Sequence, residues 1–132
     1  MANGFIVTTT GRKIMMHRCY EGTPTYTAVN YFKVGTGTAT PAIGDTVLTT
    51  PITINGNPTK AITTGYPSFD DTNLVASNRG LLLTTDCNGN SITEFGLVNS
   101  DGTPLLFNHS VFTAITKTIS VQVIFLEKDV VS

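Results

Sequence analysis

A chain of 132 residues suffices for one domain with a sizeable core, and residues 1–132 read as a single domain. Only 13% of the residues are charged, about half the usual share, and the formal net charge is −1. The eight Lys and Arg are scattered, which argues against a nucleic-acid-binding face, and no run of about 18 apolar residues exists to cross a membrane.

No basic stretch followed by an apolar core opens the chain, so it is expected to be soluble and made in a cytoplasm. Threonine is the commonest residue, with many Gly, Asn and Val and no Trp. Thr and Val suit a pleated, half-buried surface, so composition favours a mainly β fold. Cys19 and Cys87 lack the spacing of a zinc set. They read as free, buried thiols, with one disulfide as the alternative.

Phe5-Ile6-Val7 is a short β-like run or an arm. Thr8, Thr9 and Thr10 offer hydroxyls for an N-cap, and residues 11–21 follow as one short amphipathic helix. Its stripe carries Ile14, Met15 and Cys19, with Met15 and Met16 as core or interface filler, and Gly22 with Pro24 stops it. Arg12, Lys13, Arg18 and His17 form a solvated helix face. Residues 28–35 predict a strand running into GTGTATP. That loop lacks the P-loop lysine and a following helix, so Gly35 and Gly37 are read as a structural turn where two backbones pass closely.

Pro41, Pro51 and Pro58 make residues 41–58 an extended connector, in which Val47, Leu48 and Ile52 anchor to the core. Asn55-Gly56 is a hairpin-turn dipeptide, and residues 60–64 predict a strand leaving it. Residues 65–78 read as loop, with Asp70-Asp71 in an exposed turn that supplies too few ligands for an EF-hand. Residues 79–87 predict a strand with Leu81 and Leu83 on one face and Leu82 on the other. Residues 91–98 predict the next, with Thr93, Phe95 and Leu97 opposite Ile92, Glu94 and Gly96. Asp101 and Gly102 close a tight turn to its hairpin partner, residues 104–108. The last predicted strand is residues 118–127, with Ile119, Val121, Val123 and Phe125 facing the core at period two. Ile124 and Leu126 then lie on the opposite face and need cover from another chain or from the helix, which marks them as a proposed assembly interface. Six or seven strands and one short N-terminal α-helix predict an antiparallel β-sandwich or open sheet.

No catalytic constellation emerges. His17 and Cys19 are two positions apart on a helix and do not face each other, His109 falls in a polar turn, and no G-x-S-x-G elbow exists. Glu94, inside a largely apolar strand, reads as a buried acid that pairs with a cation or accepts backbone N–H groups. The chain is therefore read as non-enzymatic, without metal or cofactor.

Four pieces in order carry a resemblance: the helix TTTGRKIMMHRCYEG, then FKVGTGTATPAIGDTVL, then ITEFGLVNSDGTPLLF, then a β-rich C-terminal run. They resemble small virion proteins of tailed bacteriophages, and are similar to the N-terminal attachment domain of phage tail-collar fibre proteins. The group shows a "VGxGxxxPxxxDTxL" segment, matched by Val34, Gly35, Gly37, Pro41, Asp45, Thr46 and Leu48. Its later "I-x-E-x-GLF-x-x-DG-x-L" hairpin is matched by Ile92, Glu94, Gly96, Leu97, Asp101 and Gly102, with Val98 in place of Phe and Leu105 displaced by one. Residues 55–79 carry little of it. Fibre proteins of the group run on much further, so the resemblance implies an adaptor at a fibre base, collar or baseplate, assembled in the host cytoplasm into a virion. It also implies a homotrimer with other virion proteins as partners, and no nucleic acid or membrane. A capsid decoration (cement) protein is the alternative within that class. A receptor- or glycan-binding module, resting on Tyr20, Tyr26, Tyr31 and Tyr66, is the alternative of another class.

Overall fold

The structure, a computed structural model, describes residues 4–131. Along the chain these form β1 (Gly4–Val7), α1 (Thr9–Tyr20), β2 (Val29–Gly35), β3 (Pro51–Ile52) and β4 (Lys60–Ala61). They continue as β5 (Ser68–Asp70), β6 (Val75–Leu82), β7 (Ser91–Asn99), β8 (Asn108–Thr116) and β9 (Val123–Val130). The chain is mainly β, with two antiparallel sheets and one short helix near its start. The larger sheet runs β1-β8-β7-β2-β3, with β4 also on β2, and the smaller runs β5-β6-β9.

The sheets meet through aromatic rings. Phe32 on β2 stacks on Phe95 of β7 at 5.7 Å between centroids, and Phe95 stacks on Phe125 of β9 at 4.7 Å. Gly80 on β6 lies over the same pair, where a Cβ would stand 3.1 Å from each ring. Phe32, Val34, Leu82, Ile92, Phe95, Leu97 and Val123 are buried together in this core. Removing any of them from water stabilises the fold by roughly 1.5–3 kcal/mol per side chain.

The helix is tied to the larger sheet at its first turn. The Thr8 hydroxyl accepts the Gly11 N–H at 2.9 Å as N-cap and donates to the Leu106 carbonyl at 2.7 Å. The Thr8 N–H reaches the Phe107 carbonyl at 3.1 Å. Only Gly11 and Ile14 of the helix are buried. Met15 and Cys19 are exposed, so the expected stripe narrows to one side chain, and of the two free thiols only Cys87 is buried.

Several boundaries differ from the sequence expectations, each for a local reason. The final strand starts at Val123 and not at Thr118. The Val121 N–H bonds to the Thr118 carbonyl and the Ser120 N–H to the Thr118 hydroxyl, so this stretch turns instead of pairing. Ile119 is therefore 73% exposed rather than in the core, while Val121, Val123 and Phe125 do pack against it. Residues 65–78 are not all loop. Ser68–Asp70 and Val75 onward are strands, drawn into the ladder by eight consecutive pairings of β6 with β9, from Val75↔Val130 to Leu82↔Val123. Such long-range pairing overrides the weak propensity of Ser77 and Asn78. β6 ends at Leu82 and not at Cys87, because the Asp86 N–H bonds to the Leu83 carbonyl and the Asp86 carboxylate accepts the Leu83 N–H, turning the chain. Asn55 and Gly56, with φ of 52° and 82°, close a two-residue turn between Ile54 and Asn57, but the strand beyond it is only Lys60–Ala61.

Candidate functional site

Glu94 sits in the middle of β7, the central strand of the larger sheet, and none of its surface reaches solvent. The pairing of β7 with β8 shifts register between Ile92 and Glu94. Across that irregularity Ile92 joins Phe95 and Leu97 in the main core, while Thr93 and Glu94 both reach Gly37. Thr93 was expected with Phe95 and Leu97; the register shift puts it on the opposite side. Its hydroxyl donates to the Gly37 carbonyl at 2.6 Å, and the Gly37 N–H donates to Glu94 Oε1 at 3.0 Å.

Two further backbone donors come from the other end of the same loop. Thr50 N–H reaches Glu94 Oε1 at 2.7 Å and Thr49 N–H reaches Oε2 at 3.0 Å. Three backbone N–H groups thus converge on one buried side chain, each meeting an acceptor oxygen. The loop between β2 and β3 is thereby strapped across the sheet by one side chain. Gly35 and Gly37 make the approach feasible without any left-handed backbone. A Cβ on Gly35 would stand 2.5 Å from the Thr50 carbonyl, and one on Gly37 would stand 2.6 Å from both Glu94 Oε1 and the Thr49 Cβ.

His109 completes the lock. Its Nε2 lies 2.8 Å from Glu94 Oε2 and its Nδ1 lies 2.7 Å from Asp45 Oδ2. The sequence reading put His109 in a polar turn; it is the second residue of β8 and only 1% exposed. Its neighbour Asn108 explains the error, because a polar dipeptide resembles a turn, although Asn108 Oδ1 here accepts the Leu97 N–H at 2.9 Å inside the sheet. Each ring nitrogen of His109 faces one carboxyl group, and the imidazole bridges the loop residue Asp45 to the strand residue Glu94. Burial alone would raise the Asp45 carboxyl, but the Ala42 N–H at 2.8 Å and His109 together hold it below its usual range. The same loop is tied to the start of the helix by Ile43, whose carbonyl accepts the Thr9 N–H at 2.7 Å.

The other residues singled out in the sequence lie apart from this lock. Asp101 and Gly102 belong to the loop of residues 100–104, which is wider than the expected tight turn. Asn99 closes it, its N–H on the Leu105 carbonyl and its side-chain oxygen on the Leu105 N–H. Asp101 Oδ1 accepts the Thr27 N–H at 3.1 Å and so ties this loop to the segment before β2. Ile124 and Leu126 are 55% and 56% exposed on the outer face of the smaller sheet, and the helix does not cover them. The Asp70-Asp71 turn is closed internally, with Asp70 accepting from the Thr72 and Asn73 backbones and the Asn73 amide. Among the described residues no group of three or more His, Cys, Asp or Glu is placed to hold a metal ion.

Sequence reasoning missed His109 and the role of Asp45. By sequence Asp45 is a position of the phage resemblance and, with Thr46, a candidate turn cap, which its bonds with Ala42 make it; nothing pairs it with His109. The one signal for the pair was that a buried glutamate needs a cation and few cations stand on apolar strands. Compared with protein-family models, with curated proteins and with solved structures, the chain matches none.

Proposed function

We propose that this protein is a non-enzymatic structural protein of a tailed-bacteriophage particle, an adaptor at the fibre base, collar or baseplate of the tail. What supports the reading is that the two stretches carrying the resemblance meet in one buried contact. Gly35, Gly37 and Asp45 of the first close on Glu94 of the second, directly or through His109. Leu48 of the first packs where a Cβ on Gly96 of the second would stand 3.1 Å away. Gly35, Gly37, Asp45 and Glu94, all matched positions, take part in fixing the loop to the sheet, together with the unmatched Thr49, Thr50 and His109.

The same geometry favours scaffolding over chemistry. Both ring nitrogens of His109 are hydrogen-bonded to carboxyl groups and the ring is 1% exposed, so neither nitrogen is open to a substrate. Assembly would use the outer face of the smaller sheet, where Ile124, Leu126 and Val130 stay exposed on β9. The expected unit is a homotrimer bound to other virion proteins.

Imaging of intact particles with the protein labelled tests the position. Label at the tail is the expected result; label over the capsid lattice would select the decoration role, and absence from particles would overturn the reading. The mass of the purified assembly tests the trimer against the 14.1 kDa chain.

A further inference from the structure

The two sheets are unequal, six strands against three. β9 ends the smaller sheet and β1 ends the larger, and no described strand pairs with the free edge of either. A cleft of about 410 Å³ opens between them. Phe5 of β1 and Phe112 of β8 form its floor, and Phe125 and Glu127 of β9 form its wall. The floor is aromatic and unroofed: Phe5 is half exposed, although it lies on a strand that pairs along its whole length with β8.

A free strand edge offers a row of backbone N–H and C=O groups that only another extended backbone satisfies in register. The wall adds a charge requirement. Glu127 is 8% exposed, and its Oε1 is a buried acceptor with no donor among the described residues. Its other oxygen receives only a 3.3 Å contact from the Asn78 amide, whose own Oδ1 is likewise unpartnered. Asp129, the next position on the same face of β9, adds negative charge, while Lys128, which also lines the cleft, leaves the strand on the opposite face. Burial and Asp129 make this carboxyl hold a proton, and a cationic group delivered into the cleft would take that proton's place.

We infer that the open edge of β9 is a docking site for an extended segment of another protein. That segment adds as a fourth strand to the smaller sheet and carries a Lys or Arg beside Glu127. Cross-strand neighbours on one face repeat every two residues. The occupant therefore carries an apolar side chain against Phe125 and Phe112, with its basic residue two positions away. Its intervening side chain falls on the outer face with Ile124 and Leu126. Main-chain hydrogen bonds supply affinity and the two inward side chains supply selectivity, as in other strand-addition sites. The site is a property of the isolated chain and does not depend on the assignment to a virion.

The test is binding of a fluorescent, soluble peptide of alternating threonine and valine with one central valine replaced by lysine. Saturable binding is expected, with amide shifts in the protein confined to residues 124–128 and the facing β1. A peptide with glutamate in place of lysine should bind at least about tenfold more weakly, 1.4 kcal/mol. N-methylation of alternate peptide amides should abolish binding without touching any side chain. Glu127→Gln should keep the fold and erase the preference for lysine over glutamate. Absence of saturable binding, equal affinity for the N-methylated peptide, or equal affinity for the lysine and glutamate peptides would each overturn the inference. So would dimerisation of the protein through β9 that the peptide cannot displace, since the occupant would then be a second copy. None of these results bears on where the protein sits in a particle, so the two readings fail separately.

Discussion

Glu94 shows how one side chain can hold a loop that has almost no hydrophobic anchor of its own. Its two oxygens receive four donors, three from backbone and one from His109. Glu94→Gln preserves size but puts an amide NH2 against at least one of those donors. Breaking a buried, fully paired charge costs about 3–5 kcal/mol, so the variant should unfold at lower denaturant with an unchanged m-value. A loss below about 1 kcal/mol would mean that the loop and His109 turn to water at little cost. Acid should act on the same lock. The Asp45 carboxyl is held below its usual range in the folded chain, so its contribution is fully present above the ordinary aspartate range. It is lost as pH falls through the lowered folded value. Asp86 behaves alike: burial would raise it, but Lys60 and the Leu83 N–H lower it. Glu127 has the opposite sign, because burial and the neighbouring Asp129 push its carboxyl up to about 8. The folded chain holds that proton more tightly than the unfolded chain, so stability drops as pH rises from the ordinary glutamate range to about 8. Melting temperature against pH should therefore decline at both ends, with Asp45→Asn flattening the acid limb and Glu127→Gln the alkaline one. Unchanged slopes in either variant would refute the corresponding assignment.

At the scale of elements, the loop from β2 to β3 behaves as part of the larger sheet. The Thr36 N–H donates to the Thr50 carbonyl at 3.0 Å, closing the loop base, and Leu48 is buried with Val98 and Leu106. Close approach of backbone to carboxylate is possible because Gly35 and Gly37 have no Cβ. Gly37→Ala should push the loop off Glu94 at a cost of about 1–3 kcal/mol, the usual range for overpacking. Amide exchange across residues 36–50 should rise more than exchange in β6 or β9. Uniform protection in the variant would show that the loop has room to shift without releasing the carboxylate. β9 illustrates the converse, a strand whose limits come from its neighbour: it starts where β6 ends and pairs with it over its full length.

For the molecule as a whole, the two sheets differ in size, and the smaller ends on β9. The outer face of β9 presents Ile124, Leu126 and Val130 to solvent, whereas the inner face presents Val123 and Phe125 to the core. Ile124→Asp with Leu126→Asp should leave the fold intact, because these side chains make no contribution to the core cluster. In the proposed assembly it should convert the oligomer to a monomer, read by native mass or sedimentation. A double variant that keeps its assembly state would place the interface elsewhere; a parent protein that is monomeric at every concentration would remove the trimer.

Much of the fold was written in local sequence. The Asn55-Gly56 turn, the threonine cap before the helix and the strand at residues 29–35 depend on neighbours only a few positions away, so they could be read without a structure. Glu94 was legible as a buried acid for the same reason, since the side chains around it in the strand are mostly apolar. Its partners were not, because Gly37, Thr49, Thr50 and His109 are 57, 45, 44 and 15 positions away and only the folded sheet brings them together. The same limit explains β6, whose polar start becomes a strand through pairing with β9, and Ile119, whose apolar character lost to a hydrogen-bonded turn at Thr118. Sequence determines the repertoire of local conformations and which side chains would gain from burial. Which backbone donor meets which carboxylate, and which strand edge stays open, depends on long-range contacts whose energies no short stretch contains.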